Sequence, residues 1–301
     1  MGLAVTRTER IWLGAFLLVI GSAAQAVAAA MGKYVQESVS ADQVVLAQNL
    51  VGLLICLPLL YFRGGWGAFR TGVIGTHLIR GMAGAFSWLF FFLSINKLSL
   101  VDAVLFINTG PLMIPIILWI WTRERMQGKI WWGVLIGFIG IIFVLHPSTA
   151  GFKPVMGLAL LSGLGLAIAF VAVRILGHTE RPVLILVYYF AVSSIVLLPF
   201  AIWNWQSIGA VQWAAMVVMG LFYVILQFAL TYAFSYGRVS VLSPLIYLAV
   251  VWSGILDWIF WHDIPGWESL IGTTLVILGG VLSITMRSAH ASGQELGRAK
   301  P

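Results

Sequence analysis

A chain of 301 residues that is 61% hydrophobic and only 9% charged, with a mean hydropathy of +1.01, does not fold as a water-soluble domain, where charge of about 25% is usual. Its formal charge of +7 does not point to nucleic acid, because the cations stand singly between apolar runs. The lone cysteine, Cys56, lies inside such a run, which leaves no disulfide framework and no cysteine metal cluster.

Crossing about 30 Å of hydrocarbon takes roughly 20 apolar residues as helix. The sequence predicts ten such helices, over 11–31, 43–62, 71–95, 100–120, 128–146, 154–176, 183–203, 211–236, 239–261 and 266–286. Short connections join them, with no soluble domain, linker or low-complexity tract. The first span has Arg7 and Arg10 before it and Ala24-Gln25-Ala26 and Ala28-Ala29-Ala30 within it, a pattern like a secretory signal. Cleavage there would leave nine spans and destroy the symmetry described below, so the segment is expected to be the first membrane helix.

Several spans carry polar or small residues at helical spacing. Gln25 shares a stripe of the first span with Gly14, Gly21 and Gly32; the third has His77, Gly81, Gly84 and Trp88. The fourth has Asn108, Pro111 and Pro115, the eighth Gly220, Tyr223, Gln227 and Thr231, and the ninth Ser240, Pro244, Tyr247 and Gly254. Lipid offers no hydrogen bonds, so polar groups at these depths should face the bundle interior or an aqueous cavity. The glycines read first as close-packing positions. Trp88, Asn108, Gln227 and Tyr247 read equally as cavity lining or as interhelical hydrogen bonding. The prolines free backbone carbonyls, either for a kink at a central cavity or for a kink that serves packing. Asp257 and Asp102 stand near span ends and read as interfacial acids, with a proton or cation site as the alternative. Tryptophans cluster at span ends, as interfacial belts do.

The chain also repeats itself. Leu93-Ser94-Ile95-Asn96-Lys97-Leu98-Ser99-Leu100 is echoed 141 residues later by Phe234-Ser235-Tyr236-Gly237-Arg238-Val239-Ser240-Val241. Each copy closes one apolar run and opens the next. Glu124 precedes Gly133 and Gly140 at the same two spacings by which Asp263 precedes Gly272 and Gly279. Two halves follow, 1–150 and 151–301. Five spans per half force the second to enter from the opposite face, an inverted repeat. Lys and Arg placement supports this, with fourteen cations (Arg80 among them) at the termini and even-to-odd connections and three (Lys33, Lys97, Lys153) on the other face. Both termini are therefore expected in the cytoplasm.

No phosphate loop, His-Glu-x-x-His or Gly-x-Ser-x-Gly stretch occurs, so neither an ATP-driven pump nor a hydrolase is indicated. The whole chain resembles the drug/metabolite transporter superfamily, EamA-type branch. The likeness rests on Leu98-Ser99-Leu100-Val101-Asp102-Ala103, Pro111, and Glu124 before Gly133 and Gly140. In the second half it rests on Val239-Ser240-Val241-Leu242-Ser243-Pro244-Leu245-Ile246-Tyr247, then Asp263 in place of the usual Glu, with Pro265, Gly272 and Gly279. The resemblance implies an all-α integral membrane carrier with a central cavity lined by the third, fourth, eighth and ninth spans, with help from the first and sixth. The expected substrate-binding residues are Trp88, Asn108, Gln227 and Tyr247, with Gln25 and Tyr223 beside them. The implied activity is secondary transport of a small organic metabolite across the inner membrane, outward rather than inward, without a cofactor or metal, with a homodimer allowed for. Aromatic lining favours a flat or cationic solute. The competing class is a membrane-embedded or lipid-modifying enzyme.

Overall fold

The computed structural model describes residues 7–122, 128–145, 154–177, 179–236, 243–263, 266–267, 269–279 and 281–282. Arg238, Val239–Leu242, Glu124, Pro265 and the cations of the C-terminal tail lie outside the described residues. The described part is helical: α1 (Arg7–Val35), α2 (Ala41–Gly64), α3 (Ile74–Ile95), α4 (Leu100–Ile107), α5 (Gly110–Thr122), α6 (Gly128–Leu145), α7 (Pro154–Leu176), α8 (Pro182–Trp203) and α9 (Ala210–Tyr236), followed by α10 (Leu248–Trp261). A last helix, α11, runs over Ser269–Gly279, and short 3-10 turns at Gly65–Phe69 and Ser243–Tyr247 lead out of α2 and into α10.

Among the described residues seven segments are long and apolar enough to cross a bilayer, with α4 and α5 counted as one over Leu100–Trp121. The remaining three of the ten expected spans are shorter apolar helices, Trp131–Phe143, Leu245–Trp261 and Ser269–Gly279. Many large apolar side chains face outward, Trp203, Phe62, Leu54 and Ile195 among them, as lipid contact requires.

The break between α4 and α5 has a local cause. Pro111 has no N–H to give the Ile107 carbonyl, so the ladder fails just ahead of it. The Asn108 and Thr109 backbone amides bond back to Val104 and Phe106, and the side chains follow: Asn108 Nδ2 donates to Val104 O at 2.8 Å and Thr109 Oγ1 to Phe106 O at 2.7 Å. Helix α7 closes on this break through Gly163, where a Cβ would lie 2.3 Å from Thr109 Oγ1.

The packing of the helices exchanges under a swap of the halves. Helix α1 packs on α9 as α7 packs on α3, and α2 on α9 as α8 on α3. Helices that are each other's counterparts meet antiparallel. The start of α2 is clipped to the end of α8, with Asn204 Nδ2 donating to Asp42 Oδ2 (3.1 Å) and Gln43 exchanging two hydrogen bonds with the Gln206 backbone. Helices α6 and α11 cross at the repeated glycines. A Cβ at Gly140 would sit 2.7 Å from the Gly272 carbonyl, and one at Gly279 only 2.3 Å from the Gly137 nitrogen. Backbone approaches this close admit no side chain, which is the packing role expected of Gly133, Gly140, Gly272 and Gly279.

Two charges are placed differently from the sequence expectation. Asp257 is paired inside the bundle rather than solvated. It is fully buried and accepts from Lys33 Nζ (3.0 Å) through one oxygen and from the Val101 amide (3.2 Å), at the N-terminus of α4, through the other. The Lys33 ammonium also lies 4.5 Å over the Trp261 ring. Two charges that each look cheap near a span end are therefore held together across 224 residues, because neither can stay in the apolar bundle without the other. Asp102 is half-buried and accepts from Ser269 Oγ at 2.6 Å, joining α4 to α11. The second displaced charge is Arg80. It stands not in a connection but two turns inside α3, where it is 4% exposed. Its removal from the count leaves thirteen cations (14 − 1) against three, and the bias stands.

Candidate functional site

Arg80 is the centre of a polar cluster that the apolar bundle encloses. Its Nη2 donates to Gln227 Oε1 at 3.1 Å, and the guanidinium carbon lies 3.9 Å from the centroid of the Tyr189 ring. The Gln227 amide continues outward, Nε2 donating to the Tyr223 hydroxyl at 2.9 Å, and the Tyr223 and Tyr189 hydroxyls share a hydrogen bond. Trp88 closes the group with an edge-to-face contact on Tyr223, centroids 4.8 Å apart and planes at 81°. All five side chains are buried.

Helix geometry explains the grouping. Residues 80, 84 and 88 of α3 fall on one face, and 223 and 227 of α9 on another. Gly84 on the α3 face lets the Tyr189 ring approach; a Cβ there would be 2.5 Å from that ring and 2.7 Å from Arg80 Nη1. Gly81 similarly admits Val192 of α8, and the Gly81 carbonyl accepts from Ser193 Oγ at 3.0 Å. Helices α3, α8 and α9 thus meet where small residues permit it and where large polar ones fill the space.

Of the expected site residues, Trp88, Tyr223 and Gln227 come together. Gln227 is engaged inside the protein, one amide atom holding Arg80 and the other Tyr223, so it positions its neighbours. Asn108 is buried at the α4–α5 break and donates to its own helix, with its Oδ1 left without a partner. Tyr247 is buried in the 3-10 turn that packs on α1 and α10, its hydroxyl also without a partner. Gln25 is buried on α1, one turn beyond Gly21, where a Cβ would meet Ala229 of α9 at 2.8 Å. The indole Nε1 of Trp88 and the Nε of Arg80 are further buried donors with no partner.

Arg80 and Tyr189 are the site residues that sequence reading missed. The signal was available for Arg80: a cation eight residues before Trp88, on the same helical face and inside an apolar run, is by default a functional residue. Tyr189 stood out little, since apolar residues surround it on every side of its span. Elsewhere, an apolar groove of about 430 Å³ lies between α1 and α9, lined by Leu13, Leu17, Phe228 and Tyr232 among others, on the lipid-facing side of the bundle.

Comparison with known proteins fits this architecture. The model of the EamA-like transporter family matches the chain twice, over residues 12–146 and 153–285. A pseudopaline exporter of Pseudomonas aeruginosa is 26% identical over 268 residues, covering 88% of this chain and 93% of that one. An S-adenosylmethionine uptake transporter of Rickettsia prowazekii is 24% identical over 270 residues, 87% of this chain and 90% of that one. A riboflavin transporter of Vibrio cholerae is 24% identical over 292 residues, 94% of this chain and 96% of that one. A solved crystal structure superposes with a TM-score of 0.65 at 19% identity, covering 95% of this chain and 99% of the other, which is a likeness of fold.

Proposed function

Since the chain belongs to the EamA-like transporter family, and is a multi-pass membrane transporter of small solutes rather than an enzyme, we propose that it moves an organic metabolite by alternating access at the Arg80 cluster. The observation that carries this reading is where the cluster sits. Arg80 and Trp88 come from the first matched half, and Tyr189, Tyr223 and Gln227 from the second. In carriers built from two repeats the solute binds between the repeats, and rocking of one against the other exposes it to each side in turn.

Ten crossings in two inverted halves, 1–150 and 151–301, is the topology we assign. The antiparallel meeting of α2 with α8 and of α6 with α11 supports it, because an axis lying in the membrane plane reverses each helix it relates. The three short helices then cross as parts of longer apolar runs. Location in the inner membrane with both termini cytoplasmic rests on the thirteen-to-three placement of Lys and Arg. The relatives include one named as an exporter and one as an uptake transporter; we favour export, with the similarity to the exporter in support.

The test is transport by the purified full-length chain in phospholipid vesicles. Saturable movement of a labelled metabolite, protein-dependent and with no added nucleotide, is expected. A strict requirement for ATP would overturn the carrier reading. In intact cells, cysteine introduced at Ser38 should react with an impermeant thiol reagent from outside; protection there until permeabilisation would reverse the orientation.

A further inference from the structure

We infer that the transported solute carries an oxyanion, a carboxylate or a phosphate ester, and that Arg80 is the residue that binds it. This rests on the transporter reading above and names the substrate class of that site.

The argument begins with charge. A guanidinium keeps its proton in any protein interior, so a buried arginine is a buried charge that something must compensate. No described carboxylate does so. Asp257 is paired with Lys33, Asp42 with Asn204, Asp102 with Ser269, and Glu180 accepts from Thr71 at 2.6 Å and lies 3.9 Å from His77. What Arg80 has is one amide oxygen and the side chain of Tyr189, neither of which carries a full negative charge. Its Nε–H is buried and has no acceptor.

The remaining contacts show an arginine held ready rather than one that is satisfied. Gln227 fixes one end of the guanidinium fork, and the ring of Tyr189 fixes its plane. The planar fork presents parallel N–H groups that match the two oxygens of a carboxylate or phosphate. Trp88, on the same face of α3, adds a second buried donor without a partner. A cationic solute, which the aromatic residues alone suggested, would meet the Arg80 charge at close range and be repelled.

The repeat supplies an internal control. At the offset of 141 residues, Leu221 stands where Arg80 stands in the first half, and Phe86 is the counterpart of Gln227. The five-helix unit is therefore built once with the Arg–Gln pair and once with apolar residues in its place. The fold does not call for the cluster, which leaves binding as its use.

The experiment uses vesicles of defined phospholipid holding the full-length protein and loaded with an aqueous metabolite extract of bacterial cells. Solutes that leave through the protein are identified by mass spectrometry. The expected result is that they bear a carboxylate or a phosphate ester, and their identities decide between the two. The best of them is then compared with its neutral analogue, the methyl ester of an acid or the dephosphorylated form of a phosphate. Arg80→Gln should slow the anion about a hundredfold or more, and removing the solute's charge should slow wild-type transport by a similar factor. The two losses should not multiply, because each removes the same contact. Arg80→Lys keeps the charge without the fork and should retain preference for the anion at a reduced rate; it carries the comparison if Arg80→Gln does not fold. Equal slowing of anion and neutral analogue by either variant would make Arg80 structural and overturn the inference. Release of cationic or neutral solutes alone would overturn it while leaving the transporter reading intact. Absence of any protein-dependent release would sink both.

Discussion

Replacing Asp257 with alanine while leaving Lys33 in place is expected to cost about 3–5 kcal/mol of stability, the range for breaking one side of a buried ion pair. Both carboxylate oxygens have donors, Lys33 Nζ and the Val101 amide, so the substitution strands a buried ammonium and uncovers the N-terminus of α4 together. The double variant Lys33→Met, Asp257→Leu removes both charges and should recover most of that loss, since an apolar pair of similar volume does not have to be desolvated. Thermal unfolding of the purified protein in detergent reads both numbers. A double variant as unstable as the sum of the two single ones would show that the residues do not act as a pair.

The second large effect is on transport with little effect on folding. Tyr247→Phe deletes a polar atom that is buried and has no partner within the protein, and Trp88→Phe deletes another together with part of its ring. Such an atom costs about 1–3 kcal/mol where it stands, so Tyr247→Phe should leave the unfolding midpoint unchanged or raise it, while in Trp88→Phe the cavity left by the smaller ring offsets that gain. If the same atom bonds the solute during transport, each variant should slow transport about tenfold, the equivalent of one hydrogen bond of about 1.4 kcal/mol. Initial rates in vesicles, set against the midpoint in detergent, separate the two roles. A fall in stability with transport unaltered would assign both residues to packing.

Much of the fold was legible because the sequence states it twice. The paired glycines ahead of each half's end mark the α6–α11 crossing, and the stripe of His77, Gly81, Gly84 and Trp88 marks the face of α3 that meets α8 and α9. Helix length was less legible at 239–261, where a 3-10 turn through Tyr247 precedes the regular helix. Position along each run assigns Arg80 and Asp257 to span ends and does not report that both are buried. Their partners, Gln227 and Lys33, are 147 and 224 residues away, and nothing in a linear pattern reports a contact at that separation. Tyr189 entered the site only through the approach that Gly84 permits.

The clamp of Lys33, Asp257 and the α4 N-terminus also bears on how the empty carrier behaves. It ties the end of α1 to α10 and α4 at one end of the bundle, so in the proposed alternating-access cycle opening there would part the ion pair. Each 1.4 kcal/mol that parting the pair costs lowers the open fraction of the unloaded protein about tenfold. A bound solute that favours the open form offsets this cost, and an empty site does not. We therefore expect the return of the unloaded carrier to be the slow leg of the proposed cycle. Labelled solute should leave vesicles faster when unlabelled solute waits outside than when plain buffer does, and Lys33→Met, Asp257→Leu should narrow that difference.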